Sequence, residues 1–410
     1  MSKPLAQTSS WKKSPWAVTG VVILFYIGVT LLFLRDNNHN FRDFATVGEL
    51  FITKSEVSPV IKKDPSFNYL YGGYDGQFVY FIALDPLNAR YYVDLPSYRY
   101  TRILYPITAR ILAFGIPELI SFTLVLTNIL AIAAGTFLIA QWFRKKGLSV
   151  WLSLVYALYI GQFYAFTHDL TEVMAYSLVV GGIYFYNQTP RKLWISALLF
   201  ALAGLTRETT LVFPVILAIW LFWEELKTSP GKRGRLLLRP FIIGSAVVPT
   251  ILWQGFLYLW LGNIGLSSGT GLEKIPFIGL INLFPWSGYV IQVIIFAVIP
   301  GLICFGAGVR YLLQGSREAQ VVLLLINVVL FIFLLPQESL VELRAASRIM
   351  MGVVVSAIFC LPEVARKTKK NTLKIPYWFF VCASFWICAS VLYLLTQLIY
   401  GTIIVDRIAK

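Results

Sequence analysis

The sequence predicts an all-α fold: a polytopic membrane bundle of about eleven transmembrane helices, with a large first extracytoplasmic loop carrying short interfacial helices. Three observations predict it. First, 58% of the 410 residues are hydrophobic, the mean hydropathy is +0.71 and only 13% are charged. Soluble domains carry roughly 25% charged residues, so the surplus apolar surface has to face lipid. Second, apolar stretches of roughly 16–25 residues recur between short basic or Gly/Pro-bearing loops, matching the ~20 residues that cross ~30 Å of hydrocarbon. Third, these runs are continuous rather than alternating, so helices and not a barrel satisfy the backbone within lipid. The whole chain, 1–410, reads as one transmembrane domain, with 35–102 as the first extracytoplasmic loop inside it.

The first helix runs from Trp16 to Leu34 behind Lys12 and Lys13. No small-residue cleavage site follows and Arg35–Asp36 ends the span, so it is a retained helix rather than a signal peptide. Arg35 to Arg102 is the longest polar stretch and holds Asp36, Asp43, Glu49, Glu56, Asp64, Asp75, Asp85 and Asp94. Ile103–Phe114 is a short helix that enters the membrane in part. Further spans follow at Glu118–Phe143, Leu148–Phe166 and Val173–Tyr186, with a polar cap at Thr167–Glu172. Leu193–Leu205 and Thr209–Trp223 are undersized and meet at Thr206-Arg207-Glu208. The remaining spans are Phe241–Leu261, Tyr289–Val309, Val321–Leu335, Ile349–Leu361 and Tyr377–Tyr400. Gly262–Gly271 reads as a mobile, lid-like loop, and Gln337–Arg348 as an outward loop.

Charge sets the orientation. Of the 35 Lys and Arg, about 20 fall in the segments this topology places in the cytoplasm, with about four acids, and the other side is nearly neutral. The net charge of +15 is therefore a positive-inside signature, with a cytoplasmic N-terminus, and not a nucleic-acid footprint. The membrane is the cytoplasmic (plasma) membrane in a prokaryote and the endoplasmic reticulum in a eukaryote. Cys304, Cys360, Cys382 and Cys388 all fall inside spans, with no disulfide or metal spacing. His39 and His168 are the only histidines, and no phosphate-cradling glycine loop, zinc motif or nucleophile elbow is present. No metal and no cofactor is implied.

The chemistry-bearing residues concentrate in the first loop. Tyr71-Gly72-Gly73-Tyr74-Asp75-Gly76-Gln77-Phe78 leads into an apolar stretch, and residues 77–84 read as an interfacial helix with its aromatics in the headgroup layer. Asp75 then stands at that helix's start, either as an N-cap or as a catalytic base, and the two roles are compatible. Arg99, Arg102 and Arg110 follow around Tyr105-Pro106. Cations so close to apolar sequence either snorkel or pair with Asp75, Asp85 or Asp94, or else grip a lipid phosphate with the guanidinium fork.

This order, a first helix, an outward loop with Asp in a Tyr-Asp-Gly-Gln-aromatic setting and then an Arg/Tyr-Pro motif, resembles the C-fold (GT-C) integral membrane glycosyltransferases. The nearest branch is the GPI-mannosyltransferase-like one, with Tyr74 here where that branch has Trp and Leu104-Tyr105-Pro106 in place of its fuller motif. The motif match covers roughly residues 70–110. The resemblance implies Asp75 as base, a polyprenyl-phosphate sugar donor, and an extracytoplasmic glycan, lipid or protein acceptor. Tyr74 and Gln77 flank the base within the motif.

Other expected site residues are more distant in sequence. Asp169 either reaches substrate or caps the next helix with Glu172 as its capping-box partner, and His168 is placed to bind a hydroxyl. Arg207 and Glu208 either pair structurally or meet the donor phosphate. Arg344 and Arg348, near Glu338 and Glu342, either form helical ion pairs or bind the lipid phosphate. The resemblance thus implies a membrane glycosyltransferase that moves a sugar to an extracytoplasmic acceptor. A transporter or lipid flippase, or an inactive scaffold, is the rival reading.

Overall fold

The structure, a computed structural model, describes residues 14–36, 40–54, 58, 60, 61, 63, 69, 71–228, 237–267, 271–367 and 373–400. The chain opens with α1 (Pro15–Asp36), followed in the first loop by α2 (Arg42–Ala45), α3 (Glu49–Lys54), α4 (Gly76–Leu84), α5 (Pro96–Tyr100) and α6 (Leu104–Leu112). Then come α7 (Ile120–Lys145), α8 (Leu154–Ala157), α9 (Ile160–Thr167), α10 (Glu172–Tyr186), α11 (Leu193–Thr206) and α12 (Val212–Thr228). The second half holds α13 (Leu238–Gly244), α14 (Val248–Leu261), α15 (Ile278–Ile281), α16 (Gly288–Val293), α17 (Ile299–Leu313) and α18 (Ala319–Val328). It ends with α19 (Gln337–Leu340), α20 (Leu343–Ile349), α21 (Met351–Val364), the two-residue antiparallel strands β1 (Arg366–Lys367) and β2 (Leu373–Lys374), and α22 (Tyr377–Tyr400).

Among the described residues, six helices are long and apolar enough to cross a membrane, or up to eight if each of two bent pairs is one span, so the expected count of about eleven is not confirmed. Length is the reason. At 1.5 Å per residue, α10 and α11, with 15 and 14 residues, extend only about 21–23 Å, short of ~30 Å of hydrocarbon. The apolar helix Ala319–Phe333 is likewise short. The bends fall between α8 and α9, at 52°, and between α20 and α21, at 46°. An apolar run shows no bend to hydropathy, and Leu148–Phe166 reads from the sequence as a single span. Gln337–Arg348 is also not a plain loop: α19 and α20 occupy most of it, with Arg344 and Arg348 on α20. Leu, Ala and Arg there favour helix.

Two apolar cores organise the molecule. The larger joins α1, α7, α10 and α11 to α17, α18, α21 and α22. The smaller is built from the first loop: Phe78, Phe81 and Ile82 of α4 meet Ile52, Tyr92, Tyr100 and Tyr105, then Leu124 of α7. The expected interfacial helix over 77–84 is in fact an internal strut. Every residue of α4 except Val79 is buried, because α6 and α7 cover it. The exposed aromatics of this region are Tyr71, Tyr91 and Phe114. The Gly262–Gly271 loop lies partly outside the described residues. Its Gly265 is seated against Ser97 and Thr101 with no room for a Cβ, so that part is docked on α5. Cys304, Cys360 and Cys382 are buried, whereas Cys388 is exposed on α22.

Candidate functional site

The site forms at the seam between the two cores. Backbone approach fixes its floor: a Cβ on Gly76 would collide with the carbonyl of His168, so only glycine lets the start of α4 lie against the Thr167–Thr171 turn. His168 Nδ1 sits 3.0 Å from the Tyr164 carbonyl. The same nitrogen lies 3.0 Å from the Thr167 hydroxyl, so both of its neighbours belong to the preceding turn. The ring meets Tyr74 edge-on at 5.1 Å.

Asp75 occupies the N-cap position of α4, but its side chain bonds none of the helix N–H groups. It turns instead to cations. Arg99 Nη1 donates to Asp75 Oδ1 at 3.0 Å, while its Nε and Nη2 each hold an Asp94 oxygen at 2.7 Å. The Arg99 guanidinium lies 4.0 Å from the Phe78 ring centroid, which fixes its plane. From the far end of the chain, Arg348 brings Nη2 to 3.6 Å from Asp75 Oδ2 and Nη1 to 3.5 Å from Glu172 Oε1. Arg207 Nη1 approaches the same Glu172 oxygen at 3.0 Å. Arg102 holds Glu208, and its Nη2 also donates to the Tyr98 hydroxyl at 2.7 Å. Burial works to raise the Asp75 carboxyl, but Arg99, Arg348 and Arg102 outweigh it and hold it down at about 2.

Asp75, Arg99, Arg102, Glu172 and Arg348 line one cleft with Phe78, Ile82 and Pro106. The cleft is narrow, a cavity of ≈ 20 Å³, about what one or two waters need.

No protein-family model, curated protein or solved structure matches the chain.

Function therefore has to be argued from the site itself. Of the residues expected to act, Asp75, Arg99, Arg102, Arg207, Glu208 and Arg348 are gathered into one charge network. Arg344 and Tyr74 border it: the Arg344 and Arg348 guanidiniums lie 4.9 and 5.2 Å from the Tyr74 ring centroid, and Arg344 pairs with Glu342 at 3.0 Å. Arg207 and Glu208 pair with other elements rather than with each other, Arg207 with Glu172 and Glu208 with Arg102. Asp85 is bound by Ser58 and Asn88.

Three residues are placed elsewhere. Gln77 accepts from the Gly48 N–H at 3.0 Å and donates to the Gly72 carbonyl at 3.0 Å, pinning the loop ahead of α4. Arg110 donates to the carbonyls of Ala83 and Leu84 at 2.9 and 2.7 Å, capping the C-terminus of α4. Asp169 is fully buried at φ +48° beside Tyr105, whose hydroxyl accepts from Asn128 at 2.7 Å. Burial raises its carboxyl well above the usual range. The expected capping box is absent: Thr171 precedes α10, and Glu172 turns to Arg207 and Arg348. Glu172 is the member the sequence undervalued. Its one signal is a carboxylate opening an otherwise apolar helix.

Chemically, the network sets four guanidiniums (Arg99, Arg102, Arg207 and Arg348) against Asp75, Asp94, Glu172 and Glu208. Withdrawing such charges from water costs several kcal/mol per ion and apolar residues fill the same space more stably. That cost makes this array the candidate functional site of the chain.

Proposed function

We propose that this chain is an integral membrane glycosyltransferase that moves a sugar from a polyprenyl-phosphate donor to an acceptor hydroxyl on the extracytoplasmic side, with Asp75 as base. The observation that carries the reading is the position of Asp75: an ionised carboxylate outside the candidate spans, facing one cleft with Arg99, Arg102 and Arg348. The acceptor oxygen attacks the anomeric carbon as its proton passes to Asp75, at ~2.6–3.2 Å. The bond to the donor phosphate oxygen breaks, and the departing phosphate keeps the electron pair. Guanidiniums stabilise that charge, so no second carboxylate has to act as acid in the manner of a glycosidase.

The closed cleft adds a step. A carboxyl held at about 2 is a weak base, and ≈ 20 Å³ admits no sugar. Donor phosphate competes with Asp75 for its cations, and Arg348 has the longer contact, 3.6 Å against 3.0 Å for Arg99. Drawing Arg348 onto the phosphate widens the cleft and releases Asp75 towards an ordinary carboxylate. Donor binding thus arms the base. The test is reconstitution of the purified protein with a panel of radiolabelled polyprenyl-phosphate sugars and candidate acceptors. Sugar transfer supports the reading, and its absence across the panel removes it.

One observation favours a second reading, a transporter or lipid flippase. The two bent helix pairs meet beside the charges: the Tyr159 hydroxyl, in the break between α8 and α9, donates to the Ser347 carbonyl of α20 at 2.8 Å. Broken helices bordering a charged site are a device of transporters. Lipid movement between leaflets without sugar transfer would select it.

A further inference from the structure

The two bent helix pairs meet at one residue. Tyr159 stands in the break between α8 and α9, with extended backbone (φ −64°, ψ 135°) at the N-terminus of α9. Its side chain is buried, and its ring packs edge-on against Trp386 of α22 at 6.0 Å. The hydroxyl donates to the Ser347 carbonyl at 2.8 Å. Ser347 belongs to the last turn of α20, just ahead of the 46° bend into α21. The last four carbonyls of a helix have no N–H of their own helix to accept from, and Tyr159 supplies a donor to one of them. Gly161, two residues on, brings the backbone of α9 against the same carbonyl, because a Cβ there would collide with the Ser347 oxygen. The hydroxyl and the glycine together fix where Ser347 sits.

The next residue is Arg348, whose guanidinium lines the Asp75 cleft. It stands 3.6 Å from Asp75 Oδ2 and 3.5 Å from Glu172 Oε1. Both separations exceed the ~2.7–3.2 Å of an N–H···O bond. The other three guanidiniums of the network each hold a carboxylate closer. Arg99 reaches Asp94 at 2.7 Å and Asp75 at 3.0 Å, Arg102 reaches Glu208 at 2.8 Å, and Arg207 reaches Glu172 at 3.0 Å. Arg348 is only 8% exposed, and its Nε is buried without a hydrogen-bond partner among the described residues. A buried cation drawn by two carboxylates closes on one of them unless its backbone holds it back. The backbone that carries Arg348 is the one Tyr159 grips.

We propose that Tyr159 is the positioning residue for Arg348: by holding the Ser347 carbonyl it keeps the guanidinium short of Asp75 and Glu172, and so available to donor phosphate. This role rests on the transfer reading given above. Without the hydroxyl α20 shifts, Arg348 closes onto the two carboxylates, and an incoming phosphate has to displace a formed ion pair.

The test places the full chain in phosphatidylcholine nanodiscs and reads two quantities: affinity for a sugar-free polyprenyl phosphate, and KM and kcat for the polyprenyl-phosphate sugar that wild type transfers. Tyr159→Phe keeps the ring against Trp386 and removes only the hydroxyl. It is expected to weaken the affinity and raise KM about tenfold, with kcat changed by less than about twofold. In an Arg348→Lys background the same substitution is expected to add less than about twofold, because its effect passes through Arg348. A merely structural role would lower both backgrounds alike. Gly161→Ala, which pushes on the Ser347 carbonyl, supplies the same reading if Tyr159→Phe fails to fold. Wild type that neither binds nor transfers removes the transfer reading. Wild type that does, with Tyr159→Phe unchanged or with equal losses in both backgrounds, overturns the positioning role alone. Failure of both variants to fold also overturns it, since the contact would then be holding the fold rather than Arg348.

Discussion

Arg102 holds Glu208 through two hydrogen bonds, Nε to Oε2 at 3.1 Å and Nη2 to Oε1 at 2.8 Å, between residues 106 positions apart. The pair joins the chain just ahead of α6 to the chain just ahead of α12, and so ties the first-loop core to the bundle. Its two side chains are only 12% and 15% exposed. Removing one partner leaves the other charge buried and alone, at a cost of about 3–5 kcal/mol. Arg102→Gln is therefore expected to lower unfolding stability by about that amount. The double variant Arg102→Gln with Glu208→Gln is expected to recover about half of it, measured by a double-mutant cycle in detergent.

Gly76 sets how closely α4 approaches the Thr167–Thr171 turn. A Cβ there strikes backbone, the His168 carbonyl, which cannot swing aside. Gly76→Ala is expected to cost about 3 kcal/mol, the upper range for overpacking. Gly72→Ala is the control, because a Cβ at Gly72 meets nothing within 4 Å, and its expected change is within about 0.5 kcal/mol. Comparable Tm losses in both variants would show that the close approach is not what matters.

Asp43, on α2, gives a pH dependence of known sign. Burial raises its carboxyl from 3.8 to about 7. The folded state therefore holds a proton that the unfolded chain has released. Its contribution to stability is full below about 4 and is lost as pH climbs through about 7. Asp43→Asn keeps the side chain neutral throughout. Its Tm is expected to match wild type near pH 4 and exceed it at pH 8, and a constant difference across that range would refute the assignment.

Arg348 is expected to bind donor phosphate as a fork. Lysine carries the charge without the planar pair of donors. Arg348→Lys should raise the KM for donor about tenfold with a smaller change in kcat, whereas a loss confined to kcat would place Arg348 outside donor binding.

Much of this was legible in the sequence because it follows from hydropathy and from near neighbours. Continuous apolar runs located the helices, and Asp75, Arg99 and Arg102 announced themselves within one loop. What stayed hidden is long-range or geometric. Glu172 resembled a capping partner because its cations, Arg207 and Arg348, come from other elements. Arg110 and Gln77 are polar residues within the matched stretch that bond backbone, and no pattern separates such a residue from one that meets substrate. The bends at α8–α9 and α20–α21 leave the apolar pattern unbroken; hydropathy marked Leu193–Leu205 as undersized correctly, but it also marked Thr209–Trp223, which lies in a helix, Glu208–Lys227, long enough to cross.

The most direct test of the central claim compares wild type with Asp75→Asn, reconstituted together with a labelled polyprenyl-phosphate sugar and its acceptor. Asparagine keeps the shape and still accepts from Arg99, but it takes no proton from a hydroxyl. The expected result is transfer reduced at least a hundredfold, with donor binding retained. Equal transfer rates for the two proteins would contradict the account.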